Sequence, residues 1–440
     1  MFRKKKISAS VPAEILSDYY SLVGYEKPFC RAPFNTLFFP PDGKISACCL
    51  NRSYYKFGDY QTGKLSDLIK SKERKLQQKY IRNNNLSMGC GICEKNLMSQ
   101  NFSGIMATNY RNQKIKNHIT RIDFELSHNC NLNCVMCHRD KNSGESIYGE
   151  SFFDEIKPIL RHLEFANFVG GEPFVIKQYY KIWDFLIDNN KHCRINIQTN
   201  GSLMNEKILR IVQSPNISIV ISLDSIDTSN YEKIRRGANA SISLENFRLI
   251  NKIMQSKKQN MQISVCPITL NADEITGLID FANCEKCQIF FNYVIFPNYL
   301  SLKFVSSSKI QKYISLYEKH RQGLCTENYH EKWNALALDG LINLLRKWHE
   351  EAIESEAVQV IAHRSEIADI LISQLGESYK SVCSRFLALL PENWRMSQKR
   401  YYEFTSANFK NVFDRMSLAN FDEDAYEKML LTFFELPASE

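Results

Sequence analysis

The chain has 440 residues, 44% of them hydrophobic and 24% charged, with a net charge of +8. That is the composition of an ordinary globular protein, long enough for two or three domains with sizeable cores. No run of 18 apolar residues occurs, so no membrane-spanning helix is expected. The positive charge forms no dense stripe, which argues against a nucleic-acid partner. A basic start, Arg3-Lys4-Lys5-Lys6, is followed by no apolar stretch, so a cytoplasmic rather than secreted protein is expected.

Fourteen cysteines are many for such a chain, and nine of them fall between Cys30 and Cys193. In a reducing compartment, clustered thiols read as metal ligands before they read as disulfides. Residues 1–115 show few regular elements and hold Cys30, Cys48, Cys49, Cys90 and Cys93. From 116 to 300, strand and helix patterns alternate. Strands are expected at 122–127, 165–169, 194–199, 218–223, 261–267 and 288–296, with helices such as 174–188 and 244–254 between them. Such repetition predicts an α/β fold with parallel strands and helical crossovers: a partial (β/α)6 barrel of the TIM type, open on one side. Residues 301–440 read as a helical region, in which Trp333, Leu336, Leu341, Leu344, Leu345 and Trp348 fit one face of a long amphipathic helix.

The first barrel strand runs into Cys130-Asn131-Leu132-Asn133-Cys134-Val135-Met136-Cys137, a C-x3-C-x2-C loop at the strand end where such barrels build active sites. Three close thiolates can hold three irons of a four-iron cube and leave the fourth open; zinc with a distant fourth ligand is the competing reading. Gly170-Gly171-Glu172-Pro173 follows the second strand, Gln198-Thr199-Asn200-Gly201 the third, and Ser222-Leu223-Asp224-Ser225 the fourth. Tyr231 to Gly237 contains Arg235 and Arg236, and Asn271-Ala272-Asp273-Glu274 follows the fifth.

These segments, in this order across residues 118–297, resemble the radical S-adenosylmethionine (SAM) superfamily. The resemblance implies a [4Fe–4S] cluster on Cys130, Cys134 and Cys137 that binds SAM. It also implies SAM contacts from Met136, at a position often aromatic in the family, and from Gly170, Gly171, Glu172, Pro173, Asn200, Ser222, Asp224 and Asn271. Arg235 or Arg236 would reach the SAM carboxylate. Glu172 would meet the ammonium, Ser222 and Asp224 the ribose, and the glycines would let the backbone approach the ligand. The activity implied is reductive cleavage of SAM to a 5′-deoxyadenosyl radical, fed by a flavodoxin or ferredoxin.

Cys30, Gly43, Cys48 and the pair Cys90–Cys93 resemble the auxiliary cluster module called SPASM, or its short form Twitch, placed before the barrel instead of after it. Four thiolates would ligate a further [4Fe–4S] cluster, with Cys48 fitting the spacing better than Cys49; a four-cysteine zinc knuckle has the same spacing. Such modules imply a peptide or protein substrate, as in maturation of ribosomally made peptides. Modification of a sugar, nucleotide or other small molecule is the second reading, and a non-catalytic iron–sulfur or zinc protein the third. The 29 residues before Cys30 are too few for a separate leader-peptide-binding domain, and the helical region 301–440 would hold substrate or cap the barrel. Cys284, Cys287, Cys193, Cys266, Cys325 and Cys383 read as structural thiols, and His128 and His138 as neighbours of the cluster loop without ligand roles.

Overall fold

A computed structural model describes residues 7–389 apart from 25–27, 53, 99–101, 103–104, 112, 138–145, 295–296, 358 and 362–363. Beyond 389 it describes 395–397, 423, 427 and 430. His138 lies outside the described residues.

Seven strands form one parallel sheet ordered as in the sequence: β1 (Thr36–Phe39), β2 (Arg121–Phe124), β3 (Phe165–Phe168), β4 (Arg194–Thr199), β5 (Ile217–Ser222), β6 (Gln262–Val265) and β7 (Gln288–Phe291). The α/β class and all six expected strands are present, and the sheet is open, with β1 and β7 at its edges. The extra strand is β1, whose Thr36-Leu37-Phe38-Phe39 pairs in parallel with Arg121 to Phe124. All four of its residues are buried, so it lacks the alternation that marks a half-buried strand.

The chain divides into two compact units. The first comprises Met1–Asn131, Arg139–Ser222 and Ile242–Met261, and contains β1 to β5. Its helices include α1 (Gly91–Met98), α2 (Glu150–Leu160), α3 (Lys177–Asn189) and α4 (Glu206–Gln213). Asn205 caps α4 by accepting from the Ile208 N–H at 3.0 Å, and Ile208, Ile211 and Val212 form its buried stripe. In α3, Tyr179, Ile182, Trp183 and Leu186 repeat at three- and four-residue spacing and are buried. Trp183 packs edge-on against Phe168 at 5.4 Å, and Phe168 stacks on Phe124 at 4.8 Å. Truncating a fully buried Trp of this kind costs about 3–5 kcal/mol, so Trp183→Ala is the single change that most directly loosens α3 from β3.

The opposite side of these strands is polar. Asp123, Asn167, Asn196 and Ser218 stand in one row across β2 to β5 by strand register. Asn196 Nδ2 donates to Asn167 Oδ1 at 2.8 Å, and Ser218 Oγ donates to Asn196 Oδ1 at 3.3 Å. Parallel strands covered on both faces read as continuous apolar runs. These alternate instead, so one face is built for helices and the other for polar contents.

The second unit comprises Leu132–His138, Leu223–Ser241 and Gln262–Glu440. It holds β6, β7, α5 (Thr228–Ile234), α7 (Ile275–Cys284), α8 (Ser307–Gly323) and α9 (Tyr329–Ala357), while α6 (Ala240–Ser256) crosses the boundary in sequence. The long C-terminal helix exists, but its inward face differs from the expected one. Ala335, Leu338, Leu341, Ile342, Leu345 and Trp348 are buried, whereas Trp333 is 40% and Leu336 58% exposed. The first turn is set by Asn334, which is fully buried; its Nδ2 donates to Cys287 O and its Oδ1 accepts from Ile289 N–H. A buried amide that satisfies two backbone groups outranks the apolar area of an indole edge.

Candidate active site and auxiliary cluster site

The cluster loop begins in the first unit with Cys130 and continues in the second with Cys134 and Cys137, so each part is taken with its own neighbours. In the first unit, the backbone beyond β2 lies against the Gly170–Gly171 turn. Gly171 N–H donates to Ser127 O at 3.0 Å and Glu172 N–H to Asn129 O at 2.8 Å. Gly170 has φ +134°, and a Cβ on it would meet Ser127 O at 2.6 Å; a Cβ on Gly171 would meet Asn129 O at 2.0 Å and His128 O at 2.3 Å. The two glycines are therefore required by close approach to the cysteine loop's own backbone. The sequence reading placed them at the ligand and did not anticipate this second surface.

Glu172 is fully buried. Its Oε1 accepts from Phe174 N–H at 3.1 Å and from Thr199 Oγ1 at 2.7 Å, and its Oε2 from Asn200 N–H at 2.7 Å. The carboxylate thus joins the turn after β3, including buried Pro173, to the turn after β4. Asn200 in turn approaches the cluster loop: its Nδ2 donates to Asn131 Oδ1 at 3.1 Å and lies 3.9 Å from Cys130 Sγ. Ser222 closes β5, half-buried on the same side as Ser218. His128 Nε2 lies 3.6 Å from Glu125 Oε1, whose other oxygen is 3.5 Å from Arg52 Nη1.

In the second unit the cluster loop pairs with the end of α5. Val135 N–H donates to Ile234 O at 2.9 Å and Asn133 N–H to Arg236 O at 2.8 Å, which sets Cys134 opposite Arg235 in a short antiparallel register. Arg235 is buried; its Nη1 lies 3.9 Å from Cys134 Sγ and its Nη2 2.7 Å from Asp224 Oδ2. Burial opposes that charge, but Asp224 and then Cys134 more than offset it, holding the guanidinium firmly protonated. Arg236 is only half-buried, and burial shifts its guanidinium down from the usual range. Asp224, fully buried, accepts from Cys266 N–H at 2.7 Å. Asn271 spends both amide hydrogens on Asp224 O and Cys266 O, and its oxygen accepts from Ile268 N–H. Met136 packs with Ile234, Ile268 and Leu300, with Cys134, Val135 and Cys266 against that cluster.

The auxiliary constellation lies wholly in the first unit. Cys30, Cys48, Cys90 and Cys93 line one pocket, walled by apolar groups that include Phe29, Met106 and Tyr110. Of the adjacent pair, Cys48 lines this pocket and is buried, whereas Cys49 is exposed. Asn51, absent from the sequence reading, donates through Nδ2 to Gly89 O at 2.7 Å and lies 3.8 Å from Cys90 Sγ. Gln77 Nε2 donates to Asn51 Oδ1 at 3.1 Å. Nothing in the spacing from Cys48 marks Asn51 as a partner of the thiols. Burial pushes the Cys30 and Cys48 thiols up and the Cys90 thiol to about 12. Three buried thiols and the half-buried Cys90 facing one space form a site that discharges its protons when a cationic cluster arrives.

The sequence profile of the radical SAM superfamily matches residues 124–282, and that of SPASM, an iron–sulfur cluster-binding domain, matches residues 30–94, a span holding all four auxiliary thiols. The chain carries a radical SAM domain preceded by a SPASM domain. Its cofactors are a SAM-binding [4Fe–4S] cluster, SAM itself and an auxiliary cluster, which displaces the zinc readings. An uncharacterized protein of Methanocaldococcus jannaschii is 30% identical over 111 residues, 24% of this chain and 39% of that protein. A GTP 3′,8-cyclase of Clostridium botulinum is 25% identical over 207 residues, 46% of this chain and 60% of that enzyme. The chain thus spans less than two thirds of each of these relatives. Among solved structures, Streptococcus suis SuiB bound to SAM gives a TM-score of 0.35 at 15% identity, over 46% of this chain and 44% of that one. A likeness of that size carries no argument about function. No helix among the described residues is long and apolar enough to cross a membrane.

Proposed function

We propose that this radical SAM protein cleaves SAM reductively on a cluster held by Cys130, Cys134 and Cys137 and removes hydrogen from a peptidyl substrate. The observation that carries the reading is that Cys130 and Cys134 each face a nitrogen donor at 3.9 Å, Asn200 for one and Arg235 for the other. Thiols that stay protonated need no such donors, whereas ligating thiolates do. Fit to SAM has its own mark: Arg235 Nε is buried and donates to nothing among the described residues, an orphan that a ligand carboxylate satisfies.

When bound, the cluster and SAM together supply an electron to the sulfonium and a carbon radical able to abstract hydrogen. The chain's own residues do the positioning. Gly170, Gly171 and Pro173 seat the cysteine loop, Glu172 locks two strand-end turns and takes the ammonium, and Met136 covers the adenine side. Ser222 meets the ribose, with Asp224 and Asn271 ordering the segment behind it. The apolar cluster around Met136 keeps water from that side. Residues 1–115 form the auxiliary module while lending β1 to the sheet, residues 116–300 the barrel, and residues 301–440 a helical region that holds substrate or caps the barrel. A flavodoxin or ferredoxin in the cytoplasm supplies the electron.

A peptide fits the row Asn167, Asn196 and Ser218, whose amide and hydroxyl groups match the donors and acceptors of a backbone. A nucleotide substrate is the second reading, favoured by the similarity to GTP 3′,8-cyclase. Anaerobic incubation with SAM and dithionite should give 5′-deoxyadenosine, and Cys134→Ala should abolish it. Product formed equally by that variant would sink the proposal. Deuterium carried from a labelled candidate peptide into 5′-deoxyadenosine would support the peptide, and from labelled GTP the nucleotide.

A further inference from the structure

We infer that Arg235 is a positioning residue for the SAM-binding cluster: it acts on the Cys134 thiolate as a fixed cation that makes the cluster easier to reduce. The inference rests on the ligation proposed above and adds a residue that sets the cluster's charge balance.

Four observations converge on this one side chain. The backbone bonds from Val135 to Ile234 and from Asn133 to Arg236 clamp the residues on either side of the pair, so Cys134 and Arg235 stay opposite each other. Arg235 is buried, with Nη1 3.9 Å from Cys134 Sγ. Asp224 holds the far end of the guanidinium at 2.7 Å and is fully buried. Asp224 is itself held by Cys266 N–H and, through its own carbonyl, by Asn271. The chain Asn271–Asp224–Arg235–Cys134 therefore fixes a positive group beside a ligating sulfur and draws on all three segments of the second unit.

Reduction adds negative charge to the cluster. A cation held near a ligand sulfur, away from water, lowers the cost of that charge, and donors to the sulfurs are among the established levers on cluster potential. Asp224 cancels part of the effect while keeping the guanidinium in place. The two partners thus pull in opposite directions, which a purely structural ion pair does not do.

The test uses the full-length chain with reconstituted clusters and no SAM, read by redox titration with electron paramagnetic resonance and by iron content. The auxiliary cluster serves as an internal reference. Arg235→Gln should keep its iron and shift the SAM-binding cluster's potential downward, and Arg235→Lys should recover part of the shift. Asp224→Asn should shift it upward. Unchanged potentials in Arg235→Gln and Asp224→Asn at full iron, or shifts of the same sign in both, overturn the inference. Should Arg235→Gln fail to fold, the opposed directions of Arg235→Lys and Asp224→Asn decide the matter. A wild-type chain that takes no iron at Cys134 fails the functional proposal itself, a result separate from all of these.

Discussion

Replacing Gly171 by Ala adds one methyl group at the point where the turn after β3 meets the cysteine loop. The added carbon would lie 2.0 Å from Asn129 O and 2.3 Å from His128 O. Carbon and oxygen without a bond approach no closer than about 3 Å, so the loop backbone must retreat by about 1 Å in a densely packed setting. That movement breaks the bonds from Gly171 N–H to Ser127 O and from Glu172 N–H to Asn129 O, now 3.0 and 2.8 Å. Each lost bond leaves a buried group unpaired at about 1–3 kcal/mol, so the expected loss is about 2–6 kcal/mol, centred one residue from Cys130. Two four-iron cubes hold about eight irons per chain. The variant should fold, keep the auxiliary cluster, and fall to about four irons, as read by iron assay, electron paramagnetic resonance and urea denaturation. Eight irons with an unaltered resonance signal would refute the packing argument.

A control at Gly340, inside α9 with nothing within 4 Å of an added Cβ, should behave oppositely: Gly340→Ala is expected to raise stability by about 0.5–1 kcal/mol in urea titration with iron unchanged. At the auxiliary site, Cys48→Ser should remove about half the iron while Cys49→Ser removes none; equal losses would contradict the burial difference between them. The metal-free protein should also lose stability as pH rises above 9. The Cys90 thiol, pushed to about 12, keeps its proton in the fold while the unfolded chain gives it up at about 9. From pH 9 to 10 that one thiol accounts for about 1 kcal/mol. Urea midpoints compared with Cys90→Ser should show it, and a midpoint independent of pH in both would contradict it.

Six strands were legible because apolar and polar residues alternate along them, or because short apolar runs end in Gly, Asn or Pro. β1 was not, since four buried residues carry no period and their partner, Arg121 to Phe124, lies more than 80 residues away. The face of α9 was read one step out in its first turn, where Asn334 and not Trp333 is the buried residue. The candidate site residues were read from their type and order along the chain. What they touch was hidden, because Glu172, Asp224 and Asn271 bond to strand-end backbone, and such pairings exist only once the sheet has formed. The thiol donors Asn200 and Arg235 were expected at SAM; their contacts with Cys130 and Cys134 come from loop register, which spacing does not encode. Cys266 was read as an isolated apolar thiol and packs beside Cys134 and Met136. Burial and then Asp224 push its thiol up, as burial does the auxiliary thiols, so its standing as a fourth ligand is decided by replacement and not by proton affinity.

That last point leads to the measurement on which the account depends. The SAM-binding cluster must have one iron without a side-chain ligand. Electron paramagnetic resonance of the reduced chain, carrying Cys48→Ser to remove the auxiliary signal, should change when SAM is added and should be the same whether or not Cys266→Ala is also present. A signal indifferent to SAM, or a cluster lost on replacing Cys266, would show the fourth position closed and contradict the account.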